Sequence, residues 1–169
     1  LVMATDPDAD RLGVACRNRK DEFILLNGNQ TCVLLIHYII SQYRDLGKFK
    51  GNEYIIKTIV TTDLMDTIAA RNNVECFNVL TGFKFFADLI RQMEGKKKFI
   101  GGGEESYGFL SGEYVRDKDA VGSCALLAET AAWAGNHGKT LYELLIDIYV
   151  EYGLHREKLI NIVRKAADG

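Results

Sequence analysis

The acidic residues near the start of the chain have the types and spacing of a metal site. Asp6, Asp8 and Asp10 stand at every second position, and Arg11 follows directly. Three negative charges this close repel one another unless a cation lies among them, which favours a divalent metal. Hard oxygen ligands select Mg²⁺ or Ca²⁺ over zinc, and Arg11 is left to contact an anion beside the metal. A metal with an adjacent arginine is typical of phosphoryl transfer.

The backbone of this segment must curve if its carboxylates are to meet. On a straight strand, alternate side chains stand roughly 6.6 Å apart, which is too far for three of them to reach one small ion. Pro7 restricts its own backbone and that of Asp6, and this favours a loop that turns the carboxylates inward. An EF-hand is excluded because Arg11 and Arg17 stand where that motif requires glycine and glutamate. A solvated acidic turn is the open alternative.

Three further polar loops are expected beyond the ends of strands, where α/β sheets bind ligands. In the first, Thr81 is predicted to cap a helix that starts at Gly82, and Lys84 with the backbone amides could face an anion. A purely structural cap is the alternative. The third loop contains Arg116 and Lys118 among acidic residues. Lys118 is either part of a neutralised surface turn or a phosphate ligand or proton shuttle.

The second of these loops combines glycines with two acids and a serine. Residues 101–103 are all glycine: the first is predicted to end a strand, and a glycine loop that brings the backbone close to a partner is predicted behind it. Glu104, Glu105 and Ser106 follow, and carboxylates with a hydroxyl suit the vicinal hydroxyls of a sugar ring. The segment lacks both the P-loop and the dinucleotide-binding patterns. A merely flexible loop is the alternative.

Strands and helices alternate along the chain in a way that would position these loops. The pattern predicts an α/β fold with a mainly parallel sheet sandwiched by helices and a short antiparallel hairpin. Strands are predicted over residues 1–4, 12–16, 23–26, 54–60, 75–80 and 98–101, with a weaker one over 159–163. Helices are predicted over residues 31–46, 63–71, 82–93, 119–135 and 140–151.

Composition places the chain among ordinary globular proteins. It has 169 residues, an apolar share of 47%, a charged share of 26% and a net charge of −2. Without a basic stripe, nucleic acid is not expected as a partner, and the apolar runs are too short to predict a membrane span. Its four cysteines are scattered, so we expect reduced thiols in a cytoplasmic protein. The ends of the chain suggest a piece excised from a longer protein.

The acidic triplet with its arginine and the motifs TGFK, GEESYG and RDKD, in that order on a parallel α/β unit, resemble the α-D-phosphohexomutase family. That family comprises phosphoglucomutases and phosphomannomutases, and the resemblance covers essentially the whole chain. It implies that residues 1–11 end a preceding domain and carry the metal-binding loop. Residues 12–153 would form the third, sugar-binding domain of the family, and residues 154–169 would lead to a C-terminal domain absent from this chain.

The resemblance also implies a role for each motif. It makes Asp6, Asp8 and Asp10 the Mg²⁺ ligands, Arg11 and Lys118 the catalytic residues, and it assigns substrate contacts to Asp10, Thr81, Gly82, Lys84, Glu104 and Ser106. Glu104 and Ser106 would hold the 3- and 4-hydroxyls of the sugar. The implied reaction moves a phosphate between C1 and C6 of a hexose phosphate. It uses a phosphoserine from another domain and a glucose 1,6-bisphosphate intermediate.

The acid at Glu105 is more similar to phosphoglucomutases than to the mixed-specificity branch of the family, and this indicates glucose phosphates. A phosphomannomutase, a phosphoglucosamine mutase and a non-catalytic sugar-phosphate-binding module are the alternatives. The chain alone is expected to bind metal and sugar without turnover. A haloacid-dehalogenase phosphatase is disfavoured because Asp10 stands where that family has threonine or valine, and because it leaves the GEESYG motif unexplained.

Overall fold

The computed structural model describes residues 1–158 and 160 of the chain, so residues 159 and 161–169 of the predicted linker, with most of the predicted strand over 159–163, lie outside this description. The described elements follow one another in this order: β1 (Val2–Thr5), β2 (Leu12–Arg17), β3 (Phe23–Leu26), α1 (Gly28–Asp45), β4 (Glu53–Thr58), α2 (Leu64–Arg71), β5 (Glu75–Val79), α3 (Phe83–Met93), β6 (Lys98–Gly103), β7 (Phe109–Leu110), α4 (Ala120–Asn136) and α5 (Leu141–Tyr152). None of these helices has the length and apolar character needed to cross a membrane.

The strands form two sheets, and the predicted α/β class is confirmed. The larger sheet has the order β5-β4-β6-β7, in which β4 runs parallel to β5 and β6, while β7 is antiparallel to β6. The smaller sheet, β1-β2-β3, is antiparallel throughout and contains the predicted hairpin. β1 therefore pairs with β2 across the predicted domain boundary between residues 11 and 12.

Helices cover both faces of the larger sheet, as the sequence predicts. Successive side chains of a strand point to opposite faces, and β4 divides its apolar residues accordingly. Ile55 belongs to the main core together with α1, α2, α4 and α5. Tyr54 and Ile56 belong to a second buried cluster, in which Phe83 and Phe86 of α3 stack at 4.2 Å between ring centroids.

α1 begins three residues earlier than predicted, because a capping box precedes it. The Asn27 side-chain oxygen accepts from the Gln30 backbone N–H at 2.9 Å, and the Gln30 side-chain oxygen accepts from the Asn27 N–H at 3.0 Å. Gly28 then begins the helix at a point where any side chain would overlap the carbonyl of Glu105. This start therefore sets the distance between α1 and the second polar loop.

β4 ends two residues before the predicted strand does. Ile59 and Val60 are 57% and 53% exposed, and the chain turns there with the Thr61 N–H donating to the Thr58 carbonyl at 3.0 Å. Their β-branched side chains are typical of strands and led to the longer prediction, but the parallel pairing with β5 ends at Thr58.

The predicted glycine loop after residue 101 is also wrong, because all three glycines lie inside β6 and are buried. A side chain at Gly102 would overlap the carbonyl oxygen of Ile56 on β4, and one at Gly103 would meet the Cys32 sulfur on α1. The glycines therefore allow β6 to approach its neighbours closely.

We predict that Gly102→Ala destabilises the chain by about 1–3 kcal/mol, because the added methyl meets backbone that cannot move aside. Gly135→Ala is the matched control. Gly135 lies within α4 with nothing within 4 Å of an added methyl, and alanine there should stabilise by about 0.5–1 kcal/mol. Urea unfolding followed by circular dichroism measures both changes, and equal stability of the two variants would contradict the packing argument.

Candidate functional site

The acidic loop between β1 and β2 gathers its carboxylates as predicted. One oxygen from each of Asp6, Asp8 and Asp10 lies within 4.8 Å of the others. The loop is closed by the Asp6 side chain, which accepts from the backbone N–H groups of Asp10 and Arg11 at 3.1 Å each. Ala9 adopts a left-handed conformation with φ of 55°, which provides the tight turn.

Two cations stand against these carboxylates. The Arg11 Nε lies 3.8 Å from Asp6 and 3.6 Å from Asp10, and the Lys118 Nζ lies 3.0 Å from the other Asp10 oxygen. The Asp10 Oδ1 atom is nevertheless buried without a hydrogen-bond partner. A buried carboxylate oxygen without a hydrogen bond, among three converging acids, fits a hard divalent cation such as Mg²⁺.

The surroundings keep both signs of charge in place at neutral pH. Desolvation opposes the ionisation of Asp6, but hydrogen bonds from the Arg11 and Asp10 backbone hold its pKa below the ordinary value. Desolvation likewise opposes the charge on Lys118, yet its hydrogen bond to Asp10 and the nearby Asp117 raise its pKa. Carboxylate and ammonium are therefore the working forms of these two groups.

Lys118 connects the acidic loop to the larger sheet. Its side chain is 17% exposed, and its ammonium lies 5.1 Å from the ring centroid of Phe83, the first residue of α3. A side chain at Gly108 would overlap the Lys118 methylenes, so this glycine leaves room for the lysine stem. Lys118 is therefore half-buried and paired with Asp10, and its role as a phosphate ligand or proton shuttle stays a prediction.

The loop before α3 binds directly to the second polar loop. Glu104 is 5% exposed, and its Oε1 accepts from the Gly82 backbone N–H at 2.8 Å. Gly82 is itself the N-cap of α3, with φ of 114°, and no side-chain capping bond is formed there. The prediction that Thr81 caps this helix is therefore wrong, because a glycine conformation and the Glu104 carboxylate provide the start. Thr81 and Lys84 are exposed beside it.

The backbone of the second loop pairs with the acidic loop. Gly108 forms an isolated antiparallel bridge with Arg11, and the Leu12 N–H donates to the Tyr107 carbonyl at 3.1 Å. Ser106 is half-buried in the turn between Glu104 and Tyr107. The structure thus brings the acidic loop, Lys118, Gly82 and the Glu104–Ser106 turn together on one surface, although they lie far apart in the chain.

Sequence reasoning missed the buried residues Thr58 and Thr61, which contact the second polar loop from the end of β4. The Glu105 carboxylate is hydrogen-bonded to the pair of hydroxyls of Thr58 and Thr61, at 3.2 and 3.3 Å. The signal was present, since Thr58 ends the apolar strand β4 and Thr61 follows it, at the end where parallel sheets place their sites.

Lys57 supports the same turn and was also missed. Its side chain is 2% exposed, and its ammonium donates to the Thr61 carbonyl at 2.9 Å and lies 3.0 Å from Asp66 and 3.1 Å from Asp63. Desolvation works against its charge, but the two aspartates outweigh that effect and raise its pKa. Desolvation by itself would raise the pKa of Asp66, but hydrogen bonds from Asn78 and Lys57 outweigh it, and the net pKa lies below the ordinary value. A lysine within an apolar strand was the available sequence signal.

Comparisons with known proteins agree with the predicted resemblance. Residues 27–152 match the family model described as phosphoglucomutase/phosphomannomutase, alpha/beta/alpha domain III. Over 169 residues the chain is 42% identical to the phosphoglucomutase of Staphylococcus aureus strain MRSA252, in a match that covers 100% of this chain. The phosphoglucomutase of strain COL is also 42% identical. The chain spans 30% of the length of these curated relatives.

Solved structures share the fold. A protein of Thermus thermophilus described as a phosphomannomutase superposes with a TM-score of 0.69 at 26% identity, over 90% of this chain and 31% of its own. The N-acetylphosphoglucosamine mutase of Aspergillus fumigatus in complex with GlcNAc-6P and magnesium gives a TM-score of 0.59 at 18% identity, over 85% of this chain and 34% of its own. At 18% identity, the comparison with the Aspergillus fumigatus enzyme shows a shared fold alone.

We predict that Lys57→Met lowers the stability of the chain at pH 7 by about 2 kcal/mol, because it leaves Asp66 without its cation. The lowered pKa of Asp66 contributes stability that is present above about pH 4 and is lost as the pH falls through its folded value. The variant should therefore lose less stability than the parent chain between about pH 5 and pH 3.

Urea unfolding at three pH values measures this difference. Lys98→Met is the matched control, since Lys98 is 48% exposed and pairs with Glu113 at 3.3 Å on the surface. That substitution should cost less than about 0.5 kcal/mol and leave the acid dependence unchanged. Identical acid dependence of Lys57→Met and the parent chain would show that the Lys57–Asp66 contact does not stabilise the fold.

Proposed function

The chain belongs to the phosphoglucomutase/phosphomannomutase family, and from that membership we propose that it supplies the metal- and sugar-binding part of a hexose-phosphate mutase. One observation carries the proposal. The acidic loop meets Lys118, and the Gly82 N–H meets Glu104, so motifs for a metal, a phosphate and a sugar share one surface. Because the chain spans 30% of its curated relatives, the activity belongs to the longer protein.

We infer that Asp6, Asp8 and Asp10 hold Mg²⁺, which when bound neutralises charge on the transferred phosphoryl group. Their converging oxygens and the lack of a hydrogen bond to the buried Asp10 Oδ1 support this inference. An N-acetylphosphoglucosamine mutase of the same fold has been crystallised with GlcNAc-6P and magnesium, which is also consistent with it. Asp10 additionally faces the substrate in this proposal.

Arg11 and Lys118 are the proposed catalytic cations. Arg11 offers a planar fork of donors that suits phosphate oxygens, and it lies 3.6 Å from Asp10. Lys118 has a pKa raised by its contacts with Asp10 and Asp117, so it is held as an ammonium beside the proposed phosphate position. We assign to it the donation of a proton to the oxygen that leaves the phosphorus, and the stabilisation of charge on that oxygen.

We assign the sugar hydroxyls to Glu104 and Ser106. One Glu104 oxygen accepts a hydrogen bond from the Gly82 N–H, which fixes the carboxylate. Its other oxygen remains able to accept from a sugar hydroxyl. The Ser106 hydroxyl can both donate and accept, which suits the neighbouring position. Thr81, Gly82 and Lys84 form the flank that faces the phosphorylated substrate in this arrangement.

Glucose phosphates are the proposed substrates, because the chain is 42% identical to phosphoglucomutases of Staphylococcus aureus. In this proposal a phosphoserine elsewhere in the longer protein donates its phosphate, and glucose 1,6-bisphosphate forms and returns the other phosphate. Mannose and glucosamine phosphates, which differ at C2, are the alternative substrates. A non-catalytic sugar-phosphate-binding module is the alternative function.

The proposed domain division follows from the same family membership. Residues 1–11 carry the metal loop from the preceding domain, 12–153 form the sugar-binding domain, and 154–169 lead to a C-terminal domain. The segment that the family model matches, residues 27–152, lies within the proposed sugar-binding domain. We assign the phosphoserine and the loop that binds the second phosphate to the remainder of the longer protein.

We predict that Asp8→Asn weakens Mg²⁺ binding to the chain by at least about tenfold, because a neutral amide oxygen replaces a charged ligand. Asp8 is exposed, so the substitution leaves the packing unchanged. Isothermal titration with Mg²⁺ measures the affinity. Asp21→Asn, in the exposed turn between β2 and β3, removes an equal charge outside the loop and should leave the affinity unchanged. Equal Mg²⁺ affinity of Asp8→Asn and the parent chain would overturn the metal assignment.

The proposed function is tested with a substrate panel on the longer protein that contains this chain. With Mg²⁺ and a bisphosphate primer, it should convert glucose 1-phosphate to glucose 6-phosphate faster than it converts mannose or glucosamine 1-phosphate. The 169-residue chain alone should show no turnover. Turnover by this chain alone would refute the dependence on other domains, and no turnover of any hexose phosphate by the longer protein would favour the binding module.

A further inference from the structure

Glu105 turns away from the surface that carries the other site residues. Its Oε2 atom lies 3.2 Å from the Thr58 hydroxyl and 3.3 Å from the Thr61 hydroxyl. Those two hydroxyl oxygens are 2.7 Å apart, so one hydroxyl donates to the other, which in turn donates to Glu105. The two threonines are 0% and 2% exposed. The carboxylate is therefore held by buried groups at the end of β4.

The backbone of Glu105 is held at the same place. Its N–H donates to the Thr61 hydroxyl at 3.2 Å, and its carbonyl packs against Gly28, where no side chain would fit. Thr61 is fixed in turn by Lys57, whose ammonium donates to the Thr61 carbonyl at 2.9 Å. A continuous set of buried polar contacts thus runs from Lys57 through Thr61 to the second polar loop.

The turn from Glu104 to Gly108 is held by its backbone and by two carboxylates. The Glu104 N–H donates to the Gly108 carbonyl at 2.8 Å, and Gly108 pairs with Arg11. Glu104 reaches the Gly82 N–H, whereas Glu105 reaches the two threonines. Because Glu105 directly follows Glu104 and is held at Thr61 by both its carboxylate and its N–H, releasing its carboxylate would loosen the position of the Glu104 carboxylate.

We propose that Glu105 is a positioning residue, which contacts no substrate and acts through Thr58 and Thr61 to hold Glu104 and Ser106 in place for a sugar. The inference deepens the proposed function and rests on it for the identity of the ligand. Its structural part, the restraint of Glu104 by Glu105, can be measured without any sugar.

The experiment compares Glu105→Ala and Glu105→Gln in the 169-residue chain with two readouts. Native-state hydrogen exchange of the Gly82 amide reports whether Glu104 still accepts from it. Titration with glucose 1-phosphate, followed by NMR, reports sugar-phosphate binding, and titration with Mg²⁺ serves as the internal control.

Glu105→Ala should lower the protection of the Gly82 amide by about tenfold and weaken glucose 1-phosphate binding by about tenfold, with Mg²⁺ affinity unchanged. Glu105→Gln should restore both, because its amide oxygen can still accept from the two hydroxyls. Glu53→Ala controls for general destabilisation, since Glu53 is a buried glutamate that accepts from two backbone N–H groups at the opposite end of β4. It should leave the Gly82 amide as protected, relative to global stability, as in the parent chain.

Unchanged Gly82 exchange in Glu105→Ala would overturn the positioning role. Normal Gly82 exchange in Glu105→Gln combined with lost glucose 1-phosphate binding would overturn it too, by making the Glu105 charge a substrate ligand. If the parent chain binds no glucose 1-phosphate, the proposed sugar-binding function fails, and the Gly82 amide alone then decides whether Glu105 restrains Glu104.

Discussion

Repulsion among three neighbouring carboxylates is the constraint on which the arrangement of this surface depends. One oxygen from each of Asp6, Asp8 and Asp10 lies within 4.8 Å of the others, and nearby cations and backbone N–H groups offset their repulsion. Arg11 follows the cluster in the chain, but Lys118 reaches it from the distant loop before α4. The attraction between Lys118 and Asp10 therefore ties the small antiparallel sheet to the helices of the larger one.

The other loops are held in the same manner, each by a polar contact with its neighbour. Glu104 binds the start of α3, Glu105 binds the turn after β4, and the Gly108 backbone pairs with Arg11. Buried charged and hydroxyl groups cost free energy when they lose a partner, so each loop has one well-defined position. The apolar core places the strand ends, and these contacts fix the loops between them.

The sequence was sufficient for the parts governed by periodicity and charge. The alternation of strands and helices predicted the α/β class, and the spacing of the aspartates predicted a loop in which they converge. Contacts between distant segments could not be read in this way. The glycines of β6 belong to a strand because β4 and α1 approach closely there, and Thr81 loses the cap position because Glu104 occupies the Gly82 amide. The same limit concealed the inward direction of Glu105.

The charge balance around the acidic loop bears on the proposal of a divalent cation for phosphate transfer. Asp6, Asp8 and Asp10 stand against Arg11 and Lys118, and Asp117 lies 3.3 Å from the Lys118 ammonium. Four negative charges thus face two positive ones, and the cluster by itself repels an anion. In the proposed function, a divalent cation among the carboxylates would bring this sum to zero and remove the repulsion. Because a phosphoryl group in transfer is surrounded by negative oxygens, the proposed reaction needs further cations, which we assign to the part of the proposed longer protein outside this chain.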